Sequence, residues 1–297
     1  DAQAGFARAG TAVADAGRIG ADIVGHRRPP DWNNYYNQAR TTLNQNFVNN
    51  IVWYCDPDTL LVGAANPLET VRLAAAVVAL SGQAMFAGDK LAELPPERMR
   101  LLQQCLPVCD IRPLDLFPIY EMLPVWDVKV RRPFGDWDVV SLFNWDAEAA
   151  EIGVDLAELG LDPAQSRLVY DCWNRTLTRD VRDRITAAVP GHGNALLAVY
   201  PDTGRPQLVY SDRHLAQQAL GVEDLHWSEE TKALSGAVHL VGTDPTELVI
   251  ALPEETALVS ATAEEGVTLT TLPGENNCVT LKLHGTETRR VAWTVQF

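Results

Sequence analysis

The chain has 297 residues, enough for two domains and a substantial core, and 46% of them are hydrophobic. Its formal net charge of -15 excludes the clustered Lys and Arg that phosphate contacts with DNA or RNA require, whereas a neutral substrate such as a sugar suits that balance. No apolar run approaches the roughly 20 residues of a membrane-spanning helix.

Residues 1–16 are rich in Ala and Gly, and Thr11 to Ala14 reads as the remnant of a preceding strand. Arg18 to Ile23 predicts a short strand, and the loop His26-Arg27-Arg28-Pro29-Pro30 breaks the chain before a helix. Asp31 is placed as its N-cap, and Trp32, Tyr35, Tyr36, Ala39, Leu43 and Phe47 carry the three-and-four spacing of one apolar face. Ile51 to Tyr54 predicts the next strand, which runs into Cys55-Asp56-Pro57-Asp58. Asn66-Pro67-Leu68-Glu69 then reads as a helix start with Asn66 as cap and Glu69 reaching back as in a capping box; Gly82 ends that helix. Ala84 to Ala87 predicts a third strand closed by Gly88-Asp89, and Pro95-Pro96-Glu97 opens an amphipathic helix through Leu101, Leu102, Cys105 and Leu106. Three strand–helix units in succession imply parallel pairing.

Beyond Pro107 the pattern changes from helical to alternating. Trp126, Val128 and Val130 alternate with Asp127, Lys129 and Arg131, and Pro133 to Asp136 turns the chain into Trp137 to Phe143, which together predict a hairpin. Further strands are expected at Ile152–Leu156, Leu168–Trp173 and Ala195–Val199, the short spacing of an antiparallel sandwich. A second set, from about Val209 to Phe297, includes 237–240, 248–252, 267–269 and 291–295. The domain expectation is therefore 1–108, 109–205 and 206–297.

Cys55, Cys105, Cys109, Cys172 and Cys278 are odd in number and lack metal-site spacing, so they are read as reduced thiols of a cytoplasmic protein, with no metal or cofactor implied. The beginning, Asp1-Ala2-Gln3, has neither an initiator Met nor a signal-peptide pattern, so the chain is expected to be a fragment.

Two stretches carry a resemblance. Gly17-Arg18-Ile19-Gly20-Ala21-Asp22 and, some thirty residues on, Trp53-Tyr54-Cys55-Asp56-Pro57-Asp58, followed by Ala79-Leu80-Ser81-Gly82, look like consecutive barrel-strand ends of melibiase-type α-galactosidases. The likeness runs from about Gly17 to Leu106, and more loosely to Val199. It implies the fold class: α/β plus all-β, the C-terminal portion of a (β/α)8 TIM barrel followed by antiparallel β-sandwich domains. It also implies that Asp22 is the general acid/base and that Arg18 contacts the sugar. Trp53, Asp56 and Asp58 are carried as candidate substrate contacts on the same rim, and Asp89 as a further rim residue.

A retaining glycosidase needs two carboxyl groups about 5–5.5 Å apart, one as nucleophile and one as acid and then base. The acid must hold its proton near neutral pH, so Arg18 is expected to hold a sugar hydroxyl rather than Asp22. Residues alone leave plainer alternatives open: Arg18 and Asp22 as a buried ion pair, Asp56-Pro57-Asp58 as an ordinary turn, and Trp53 as core. His26, Arg27 and Arg28 read as a solvated loop, and His192 as a turn residue. Trp126, Trp137, Trp145 and Trp173 read as sandwich core. The family's nucleophile lies in a Lys-x-Asp context, and no such motif precedes Asp22. The expected function is hydrolysis of a terminal α-galactoside with the nucleophile outside this sequence, and transfer to a sugar acceptor stays open. The rival is a non-catalytic carbohydrate-binding or assembly protein. The expected partner is a small carbohydrate, with oligomeric state undetermined.

Overall fold

A computed structural model describes residues 14–23, 31–108 and 122–297. The expected strand remnant at Thr11, the loop His26-Arg27-Arg28 and Cys109 involve residues outside these. The chain divides into two compact units that cut across the three consecutive segments. One contains Asp1–Val128, Val140–Gly153 and Thr186–Ala195, and the other Lys129–Val139, Val154–Ile185 and Leu196–Phe297.

The first unit opens with β1 (Ala16–Arg18), α1 (Trp32–Gln45), β2 (Tyr54–Asp56), β3 (Thr59–Leu60), α2 (Leu68–Ser81), β4 (Phe86–Ala87) and α3 (Pro96–Gln104). The expected parallel pairing is present: β1 lies beside β2 with Arg18 opposite Asp56, and β3 lies beside β4. Asp31 caps α1, accepting from the Asn34 backbone N–H while the Asn34 side chain accepts from the Asp31 N–H. Gly82 ends α2 in the left-handed conformation at φ 65°. Eleven of the fourteen residues of α2 are buried, as a helix apolar on all sides requires.

Three local expectations fail. Ile51 and Val52, expected in a strand, are 66% and 41% exposed in a turn, because Asn50 at φ 56° reverses the chain and pairing begins only at Tyr54. Asn66 is buried and does not cap α2; Pro67 occupies the cap position with no side-chain hydrogen bond. The strand predicted from Arg18 to Ile23 instead ends at Arg18, although the Ile19 N–H still donates to the Asp56 carbonyl.

The β-rich part contains β5 (Val125–Arg132), β6 (Gly135–Asn144), β7 (Ala150–Asp155), β8 (Arg167–Asp171), β9 (Thr176–Val181), β10 (Arg184–Val189) and β11 (Gly193–Pro201). The order β5-β6-β11-β8-β9 makes a five-stranded sheet, and β7 pairs with β10. Within the second unit follow β12 (Gln207–Ser211), β13 (Val222–Ser228), β14 (Ala233–Leu240), β15 (Thr246–Ala251), β16 (Ser260–Ala263), β17 (Thr268–Gly274), β18 (Cys278–His284) and β19 (Arg289–Gln296). These form two antiparallel four-stranded sheets, β12-β15-β18-β17 and β13-β14-β19-β16. Alternate residues of both, among them Leu234, Val238, Ile250, Leu281 and Trp293, share one apolar core, so the expected second sandwich is present.

Two polar devices brace the second unit. Lys129 Nζ lies 2.5 Å from both Asp138 Oδ2 and the Leu159 carbonyl, with Asp138 only 2% exposed. Arg179 on β9 donates to the carbonyls of Leu252, Asn276 and Asn277, while the Asn276 side chain donates back to the Leu177 carbonyl at 2.7 Å.

Candidate functional site

The parallel pair β1–β2 brings Arg18 and three carboxylates together. Arg18 Nη1 donates to Asp22 Oδ1 at 2.8 Å, Nη2 to Asp58 Oδ1 at 2.8 Å, and Nε to Asp56 Oδ2 at 3.4 Å. Burial works against the Arg18 charge, but the fields of Asp58 and Asp56 and the bond to Asp22 outweigh it and raise its pKa. The guanidinium is thus fixed as a cation whose three donor nitrogens each meet an acidic side chain.

The local sequence explains the cluster. The Asp58 backbone N–H bonds Asp56 Oδ1 at 2.8 Å, which folds Asp56-Pro57-Asp58 into a tight turn; Asp58 takes φ 77°, a conformation Asp tolerates better than most residues. Asp58 Oδ2 accepts from the Ile23 N–H at 2.5 Å and Oδ1 from the Thr59 N–H at 2.7 Å, so this side chain ties the loop after β1 to the start of β3. Gly20 is needed because a Cβ there would stand 2.9 Å from Thr41 Oγ1 on α1. From α1, the buried Gln38 donates to the Pro57 carbonyl at 3.0 Å, and Gln45 to the Ile19 carbonyl at 3.3 Å. Neither glutamine was among the sequence candidates. Gln38 has a legible signal, a polar residue on the face shared by Tyr35, Ala39 and Leu43.

Three expectations need correction. Arg18 does touch Asp22, and the pair is open rather than buried, with the Asp22 side chain 87% exposed. Trp53 is 6% exposed, packed with Ile19 and Cys55 beneath Gly17, so it offers no face to a sugar. Asp58 is 6% exposed with both oxygens occupied, which makes it a brace rather than a substrate contact. Asp56 retains some exposure, 26% of its side chain. Asp89 accepts from the Val62 N–H at 2.6 Å and closes the β3 turn.

His192 sits in the turn before β11 at φ 52°, its ring stacked on Trp32 at 3.8 Å; loss of solvent there lowers its pKa, against the pull of Asp146. Trp126 and Trp137 are buried, as expected of core residues, while Trp145 is half-buried and donates to the Leu123 carbonyl. Cys55, Cys105, Cys172 and Cys278 are buried and free; burial pushes the Cys55 thiol up to about 11 and Cys105 up to about 12, which keeps them protonated and unreactive. Among the described residues no group of three or more His, Cys, Asp or Glu could hold a metal ion, and no helix is long and apolar enough to cross a membrane.

Parallel strand–helix units with a charged cluster at a strand end, followed by antiparallel sheets, have the order of the late part of a (β/α)8 barrel with appended β-domains. A GH27 β-L-arabinopyranosidase from Geobacillus stearothermophilus superposes with a TM-score of 0.54 at 15% identity, covering 68% of this chain and 48% of that one. Alpha-galactosidase I from Mortierella vinacea superposes with a TM-score of 0.51 at 15% identity, covering 66% and 56%. Residues 131–199 match the family Melibiase_C, described as the alpha galactosidase C-terminal beta sandwich domain. A probable alpha-galactosidase D from Neosartorya fischeri is 41% identical over 63 residues, and one from Aspergillus terreus is 28% identical over 160 residues, 48% of this chain. The matched stretches span only 9% and 23% of those relatives' lengths. The chain is thus similar to the C-terminal part of a melibiase-type α-galactosidase.

Proposed function

We propose that this chain carries the acid/base side of a retaining glycoside hydrolase acting on terminal α-galactosides, with Asp22 as general acid/base and Arg18 as the sugar contact. The observation that carries the reading is the position of Asp22: an exposed carboxylate just beyond a parallel strand, beside a guanidinium held by two further carboxylates. Asp56 and Asp58 fix Arg18 from below, so its bond to Asp22 can be exchanged for one to a sugar hydroxyl without losing its orientation. A bound sugar would also displace water from Asp22, the step that readies a carboxyl group as an acid. The nucleophile is assigned to a strand outside this sequence, and the chain alone is expected to give no turnover, because the covalent route needs both carboxyl groups.

The relatives' names supply the glycone, an α-galactoside; the arabinopyranosidase among the structural neighbours makes a pentopyranoside the natural second substrate to assay. Transfer to a sugar acceptor differs only in which hydroxyl attacks the intermediate. As sequence segments, the division 1–108, 109–205 and 206–297 belongs to this proposal, with the first part supplying the rim. The second reading, a non-catalytic carbohydrate-binding or assembly protein, is favoured by one observation, the direct Arg18–Asp22 ion pair.

The deciding experiment is hydrolysis of an aryl α-galactoside by a longer chain that includes the nucleophile strand, with Asp22 and with Asp22→Ala. Loss of activity in the variant, partly restored by azide or by a better leaving group, supports the acid/base role. A longer chain inactive with either residue overturns the hydrolase reading in favour of the binding one.

A further inference from the structure

Helix α1 reaches the rim through one side chain whose chemistry the packing of the helix does not call for. Gln38 lies on the face that also buries Tyr35, Ala39 and Leu43, and it is itself 4% exposed. A methionine or leucine would fill that volume without taking an amide out of water, whereas a buried amide is tolerated only where its hydrogen bonds are made. Here they converge on one residue. Gln38 Nε2 donates to the Pro57 carbonyl at 3.0 Å and to the Thr59 carbonyl at 3.4 Å, so its hydrogens hold the residues on either side of Asp58.

Asp58 is the residue of the rim that needs such support. At φ 77° it takes the left-handed region, and from there its carboxylate meets Arg18 Nη2 at 2.8 Å with Oδ1 and the Ile23 N–H at 2.5 Å with Oδ2. Each peptide around it is held by a side chain: Asp56 accepts from the Asp58 N–H at 2.8 Å, Asp58 itself from the Thr59 N–H at 2.7 Å, and Gln38 takes the two carbonyls. Two helical turns further along the same face, Gln45 donates at 3.3 Å to the carbonyl of Ile19, the residue after Arg18. The helix thus holds backbone on both sides of the guanidinium, while the partner of its outer nitrogen, Asp22, stays open.

We infer that Gln38 is a positioning residue for the rim: from α1 it locks the Asp58 turn, and through Asp58 it sets the direction in which Arg18 presents Nη1 to Asp22 or to a sugar hydroxyl. Without the amide, two buried carbonyls lose their donor, the turn relaxes and the guanidinium swings free of its brace. This role rests on the reading of Arg18 as the sugar contact, but the orientation of the guanidinium is observable without substrate.

The test is nitrogen NMR of the arginine side chains of the 297-residue chain in the cold, with Arg18 assigned by its disappearance in Arg18→Lys. A guanidinium gripped by different acids turns slowly about its C–N bonds and gives separate Nη1 and Nη2 signals, whereas a released one gives a single averaged signal. Separate signals are expected for the unaltered chain and for Ala39→Gly, which loosens the same helix one residue on. An averaged signal is expected for Gln38→Met, which keeps length and packing and removes the amide. Thermal melting checks that the variants fold; if Gln38→Met does not, Gln38→Asn, whose amide is withdrawn by one methylene, decides in its place. In an active longer chain Gln38→Met should also lower kcat/KM about tenfold. Averaging in the unaltered chain or in Ala39→Gly, separate signals in the folded Gln38 variant, or unchanged kcat and KM in an active longer chain each overturn the proposal. A longer chain without hydrolysis removes the sugar contact but leaves these signals as they are, so the two failures are told apart.

Discussion

The β1–β2 rim and the Lys129–Asp138 pair are both built from a cation meeting carboxylates, yet they solve different problems. At the rim one guanidinium is shared by three acids and stays 38% exposed, so its bonds can be exchanged with a ligand or with water. In the sandwich a single ammonium faces a carboxylate that is 2% exposed and a backbone carbonyl, with no slack. Water access decides the outcome. The same chemistry gives an adjustable contact where solvent enters and a fixed strut where it does not.

The largest expected effect lies in the apolar core of the last two sheets, against which both pairs are scaled. Trp293→Ala, at a position 2% exposed in the shared sandwich core, should cost about 3–5 kcal/mol, read as a fall in the urea midpoint. Next, Lys129→Met leaves Asp138 buried without its cation and should cost about 3 kcal/mol, whereas Lys129→Met with Asp138→Leu should recover most of that loss. If single and double variants are equally unstable, the pair is not a strut.

At the rim, Asp58→Ala strips partners from Arg18, the Ile23 N–H and the Thr59 N–H, and should cost about 2 kcal/mol. Asp22→Ala, the loss of an open ion pair, should change stability by less than about 0.5 kcal/mol. Equal effects from these two would erase the distinction between brace and working group. The smallest expected effect is a pH dependence. Burial alone would raise Glu247 above its ordinary 4.5, but Arg175 at 2.7 Å and Lys282 at 3.4 Å outweigh it and lower it. The unfolded chain therefore takes up this proton first as pH falls. The stability Glu247 adds is full above about 4.5 and disappears as pH drops through its folded value, a small acid-side loss that Glu247→Gln should abolish.

Much of the architecture can be read from local chemistry. Asp31 before an apolar periodicity, Gly82 after one, and the Pro133–Asp136 turn between alternating runs each mark an element that forms where expected. What stayed hidden depends on pairing. Strands β9 and β10 are short and carry Arg179, Asp180 and Arg184, so nothing in their composition separates them from loop until β8 and β7 supply neighbours. Ile51 and Val52 mislead in the opposite sense, apolar residues left at the surface by a reversal at Asn50.

For the site, strand-end acids beside Arg18 are visible in the sequence, but their mutual contact is not. It follows from the register that sets Arg18 opposite Asp56 and from the left-handed turn at Asp58.

The Arg179 clamp bears on how such a chain can be recombined. By gathering carbonyls from two later loops while Asn276 reaches back to Leu177, it sews the five-stranded sheet that holds β9 to the strands that follow. A crossover placed near residue 205 would part this seam and expose backbone oxygens on both halves. A transplant that respects the fold would therefore carry the last ninety residues together with the sheet before them.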